Sequence, residues 1–229
     1  MKLISAFLPS TLLLFVATLP SFSQTSNNTS SLSCWETRRG GTFQTRHAKT
    51  PVSKSNNGSA YAEVTAEAST DAGQSQFCKN KAQIFYSQDG NNYKMVYEKP
   101  GLDDQGVGMR LFGWSHSGTQ LLIELLVWGY DRDNEVVKSG LMFEAQTVQV
   151  TELPLDDAFQ RLFGKDCELD FSLVGWDADD SVLIRVSKTP PTTRYQQTFC
   201  VEKPGVYAFN QRTRTVSATK GSAAEASHN

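Results

Sequence analysis

Two stretches of this chain occur twice. Gly113-Trp114-Ser115-His116-Ser117-Gly118-Thr119-Gln120-Leu121-Leu122 returns 62 residues later as Gly175-Trp176-Asp177-Ala178-Asp179-Asp180-Ser181-Val182-Leu183-Ile184. Phe143-Glu144-Ala145-Gln146-Thr147, followed by Val150, returns 66 residues later as Phe209-Asn210-Gln211-Arg212-Thr213, followed by Val216. A period of about 60 residues marks one supersecondary unit used several times, and this limits the possible folds more than any single residue does.

The middle unit is the clearest. Met109 to Ser115 alternates as a first strand, Ser117-Gly118 turns, and Thr119 to Trp128 is rich in β-formers. After the polar run Asp131 to Glu135, Leu141 to Glu144 and Val148 to Leu153 give third and fourth strands. The later unit repeats this with Phe171 to Asp177, Ser181 to Val186, Val206 to Asn210 and Arg214 to Ala218. Pro190-Pro191 falls in its long connection, where a missing N–H does no harm.

The first unit is degenerate. Ser55-Asn56-Asn57-Gly58-Ser59 lines up with Ser115 to Thr119, Ala60 to Val64 follows, and Ile84 to Tyr86 and Tyr93 to Tyr97 flank the turn Gln88-Asp89-Gly90-Asn91-Asn92. Its first strand is expected near Thr42 to Lys49. The expected fold is all-β: about three four-stranded antiparallel units over 40–98, 109–153 and 167–218, within a single domain spanning 34–218. A short helix is expected between the second and third units. Asp156 and Asp157 favour its start, Leu155, Phe159, Leu162 and Phe163 share a face, and Gly164 ends it.

Four antiparallel strands per unit is the plan of a propeller blade. Trp114-Ser115-His116-Ser117-Gly118 with Leu121-Leu122, then Phe143-Glu144-Ala145-Gln146-Thr147, resembles the Trp-Ser-Pro-Asp-Gly and Tyr-Asp-x-x-Thr-Gly elements of TolB-type, WD-like propeller repeats. His116 replaces the proline, Ser117 the aspartate, and Asp180 stands in the glycine position of the third unit. The resemblance implies propeller-type blades and a binding role, directed at another protein. Three blades fall short of the usual four, so an open stack or closure by a partner is expected, and two copies would supply six.

The first 23 residues read as a secretory signal. Lys2 precedes an apolar run from Leu12 to Leu19, and Ser21-Phe22-Ser23 offers a small-x-small cleavage site before Gln24. No later run is long enough to cross a bilayer, so no membrane insertion is expected after cleavage. A periplasmic or secreted location follows. Residues 24–33 and 219–229 are small and polar, and are read as disordered. The formal charge of −2 contains no basic block, which argues against nucleic-acid partners.

All four cysteines follow the signal, which favours disulfides over metal or redox use. Phe77-Cys78 matches Phe199-Cys200, and Cys34 and Cys167 each lead into a unit. Of the three possible pairings, Cys34–Cys78 and Cys167–Cys200 are expected. A bridge needs Cα atoms within about 7 Å, so the segments before the first and third strands must bend together.

Chemistry is harder to find. Gly113 to Gly118 imitates a nucleophile elbow, but the second glycine comes one residue late, strand follows, and the matching turn carries Asp177 and Asp179 in place of the serines. His47, His116 and His228 have no metal-ligand spacing. Asp131 and Asp133, with Glu135, start like a calcium loop, but Val136 occupies the position that needs glycine. Asp177 and Asp179 form a second acidic cluster and complete the calcium candidates. Trp35, Trp128, Tyr130 and Phe159 are candidate binding aromatics.

The expected function is therefore a non-enzymatic, exported interaction protein without cofactor, whose partner is another exported protein or a second copy. The alternative is a secreted enzyme or carbohydrate-binding protein acting on envelope glycan or peptide, with Asp131 and Asp177 as its carboxylate pair. Asn27, Asn28 and Asn57 lie in glycosylation sequons but are read as polar linker and turn residues.

Overall fold

A computed structural model describes residues 29–31, 38–39, 42–43, 45–69, 77–102, 105–129, 136–164, 171–187 and 204–219. The elements in chain order are β1 (Thr29–Ser31), β2 (Arg38–Arg39), β3 (Thr42–Phe43), β4 (Arg46–Lys49), β5 (Ser53–Ser55), β6 (Gly58–Ser69), β7 (Phe77–Ser87) and β8 (Lys94–Pro100). Then come β9 (Gln105–Trp114), β10 (Gln120–Gly129), β11 (Val136–Glu144), β12 (Gln149–Glu152), α1 (Leu155–Phe163), β13 (Phe171–Trp176), β14 (Val182–Val186), β15 (Gly205–Asn210) and β16 (Thr215–Ala218). The described residues are all-β apart from α1, and each repeat unit forms its own antiparallel sheet.

The first sheet runs β4-β6-β7-β8 with β5 also on β6, the second β1-β9-β10-β11-β12, and the third β13-β14-β15-β16. None of the sheets closes on itself. Two first-unit expectations need correction. Thr42-Phe43 pairs with Arg38-Arg39 in a separate hairpin, so the leading strand is β4 plus β5, broken at Thr50 to Val52. The third strand begins at Phe77 rather than near Ile84, which puts the Cys78 backbone inside β7 opposite Ala68. The cysteine side chains and the bridges expected of Cys34, Cys78, Cys167 and Cys200 lie outside the described residues, as does the signal segment.

The sheets stack face to face. Ala60, Ala62, Val64, Ala82, Ile84 and Tyr86 of the first sheet bury against Val107, Met109, Leu111, Leu121, Ile123 and Phe143 of the second. The opposite face of the second sheet, with Leu122 and Met142, joins α1 and the third sheet's Phe171, Leu173, Val182, Ile184, Tyr207 and Phe209. Both faces of β10 are therefore covered, which explains why Leu121 to Trp128 is almost continuously apolar instead of alternating. Helix α1 ends as expected, with Gly164 left-handed at φ 64° and its N–H on the Gln160 carbonyl.

The recurring Gly-Trp pair has a backbone cause. In β9 Gly113 faces Leu122 while Leu111 faces Ile123, so Phe112 is an extra residue. In β13 Gly175 faces Leu183 while Leu173 faces Ile184, so Val174 is extra. Both units carry the same β-bulge, and the glycine after it takes φ 103° or 142°. No atom lies within 4 Å of a Cβ built on either glycine, so conformation and not space demands it.

The two tryptophans also expose a slip in the ungapped repeat. Leu121 pairs with Trp114, but Val182 pairs with Trp176, so the third unit's turn is one residue shorter. The shorter turn still keeps its left-handed corner. Gly118 at φ 70° and Asp180 at φ 57° each donate an N–H to the residue three before.

Candidate interaction face

Each unit places a phenylalanine of its third strand beside a second-strand residue on one face. The pairs are Tyr61–Phe85, Leu121–Phe143 and Val182–Phe209. In the second and third units this face packs on the preceding sheet. In the first sheet the pair lies outside both cores formed by the described residues, and its two rings are half-buried.

That face is aromatic. Tyr61 and Phe85 stack with centroids 5.0 Å apart and planes 13° from parallel, and Tyr93 tilts onto Tyr61 at 5.1 Å. Lys49 lies over the Tyr61 ring at 5.2 Å. Met95, opposite Phe85 on β8, is 51% exposed. Deeper on the same face Glu63 is buried, accepting from His47 Nδ1 at 2.6 Å and pairing with Lys49 Nζ at 3.1 Å. Its hydrogen bond holds the Lys49 ammonium above the ordinary lysine value. Sequence reasoning passed over this cluster because the first unit lacks the tryptophan that marks the other two.

At one end of the stack the repeat turns bond to one another. Ser55 Oγ and Asn57 Nδ2 of the first unit donate to the Gly118 carbonyl of the second, at 3.0 and 3.1 Å. Asp180 of the third accepts from the His116 and Ser117 N–H groups of the second, at 2.6 and 3.2 Å. His116 Nδ1 also lies 3.1 Å from Asp180 Oδ1. Burial pushes the Asp180 carboxyl up, but these donors outweigh it and hold the group below the usual carboxylate value. The nearby hydroxyls bond in a chain, Ser115 to Ser117 to Thr119, and among the described residues none of them bonds the imidazole. The geometry stitches adjacent turns together.

The other candidates fall as follows. Phe159 is fully buried against Phe163 and Tyr207, so it packs in the core and does not present a ring for binding. Trp128 is half-buried and lies across Gly106, where a Cβ would come within 2.2 Å of its ring. Asp177 Oδ1 is taken by the N–H groups of Asp179 and Ser181, and Asp179 is exposed. Among the described residues, no group of three or more His, Cys, Asp or Glu is placed to hold a metal ion. Trp35, Tyr130, Asp131 and Asp133 lie outside the described residues. Among the described residues no helix is long and apolar enough to cross a membrane. No protein-family model, curated protein or solved structure matches the chain.

Proposed function

We propose that this is an exported, non-enzymatic interaction module built from three TolB-like, propeller-type blades, which engages protein through the aromatic face of its first sheet. The observation that carries the reading is the Tyr61–Phe85 pair: the face that is core in the other two units leaves both rings half-buried here, beside a Met95 that is 51% exposed. An apolar face rimmed by polar residues is a common mark of an interaction site. The support for export is Lys2, the apolar Leu12 to Leu19 run and the small residues of Ser21-Phe22-Ser23. Sugar binding gains little from this face, because the Tyr61 ring is already engaged by Phe85, Tyr93 and Lys49.

The test is a photo-reactive residue in place of the exposed Met95, in the exported protein within its native cells. One discrete protein adduct, lost when Phe85→Asp is added, is the expected result. Irradiation that yields no protein adduct at that position ends the interaction reading.

A further inference from the structure

We propose that the first sheet's aromatic face receives the outward face of the third sheet of a second copy of this chain, so that two chains close a ring of six sheets. The inference rests on reading the units as propeller-type blades.

Each of the two sheet-to-sheet cores joins the forward face of one unit to the backward face of the next. Among the described residues two faces lie outside these cores, the backward face of the first sheet and the forward face of the third. The third sheet's forward face carries the cross-strand pairs Leu183–Ala208 and Arg185–Val206. All but the exposed Arg185 are half-buried. Small aliphatic residues there are suited to bulky rings, as Ala60, Ala62 and Ala82 of the first sheet are where they share a core with Phe143.

The polar residues fall in register as well. With Leu121 and Val182 equivalent to Tyr61, Glu63 occupies the position of Ile123 and Ile184, and Arg185 that of Glu124. Between the second and third sheets, Glu124 reaches the Leu173–Ile184 rung and accepts the Leu173 N–H at 3.2 Å. The matching rung of the first sheet is Lys49–Glu63. Repeating the internal step once more sets Arg185 of one copy against Glu63 of the other. An interface of this head-to-tail kind closes when the rotation allows it, and six blades lie within the usual range of four to eight.

Light scattering of the oxidised mature protein over a range of concentrations gives the first result, and a stable dimer is expected. Met95→Asp and Arg185→Glu, both at exposed positions, should each weaken dimerisation at least tenfold while keeping the β circular-dichroism spectrum. An equimolar mixture of the two should recover a dimer, because each variant retains the face that the other has lost. Three results would overturn the proposal. One is a monomer at every concentration, another is a mass that grows without limit, and the last is a dimer broken by Met95→Asp but untouched by Arg185→Glu, which means like faces pair. A monomer whose residue 95 still cross-links a different exported protein would remove the ring and leave the interaction reading standing.

Discussion

The indole Nε1–H of Trp176 donates to the Gly113 carbonyl of the neighbouring sheet at 2.9 Å, whereas the buried Nε1 of its repeat mate Trp114 has no acceptor among the described residues. Trp176 reaches a carbonyl at the end of β9, whereas Trp114 lies beside the rings of Tyr86 and Phe143. Trp176→Phe should therefore cost about 1 kcal/mol more than Trp114→Phe, since only the first loses a hydrogen bond and orphans a carbonyl. Urea unfolding of the two variants measures the difference, and equal losses would refute the assignment.

Backbone strain gives a pair of opposite effects. Val148 holds φ 54° and Arg214 φ 55°, at matching positions after the two Thr residues of the repeat. Val148 is 47% exposed and β-branched, so Val148→Gly should raise stability by about 0.5–1 kcal/mol through relief of strain. Gly113→Ala, at φ 103°, should lower it by about 1 kcal/mol. Thermal midpoints moving in the same direction for both variants would contradict the argument.

Glu124 is 1% exposed, accepts the Leu173 N–H and pairs with Arg110 at 3.4 Å. Its carboxylate thus ties the second sheet to the third. Glu124→Ala should cost about 2 kcal/mol, with Glu124→Gln closer to wild type because the amide oxygen still accepts. Amide exchange at Leu173 should accelerate in the Ala variant and change little in the Gln variant.

The Asp180 carboxyl titrates below the ordinary aspartate value, so its contribution to stability is present above that ordinary value and is lost as pH falls through the lowered one. Asp180→Asn should therefore be less stable than wild type at neutral pH, and the gap should narrow in acid. Denaturation midpoints at a series of pH values between about 2 and 7 follow this directly. A gap that widens in acid would reverse the sign.

The repeat made most strands of the second and third units legible. Bulge, glycine, tryptophan and turn recur together, and each leaves a residue signature such as Gly113-Trp114 and Gly175-Trp176. The first unit was legible only in part, because its leading strand is split and its Tyr61–Phe85 pair replaces the tryptophan as the aromatic landmark. The one-residue shortening after Asp180 was invisible because Leu121-Leu122 and Leu183-Ile184 are apolar in either register. Phe159 looked available because its helix stands alone in the sequence, and nothing local reveals that Tyr207 covers it.

Among the described residues the second sheet has a core on each face, shared on one side with the first sheet and on the other with α1 and the third. A larger or smaller side chain on either face of β10 therefore meets close-packed neighbours with nowhere to relax, so the middle layer is where this stack has the least room for substitution.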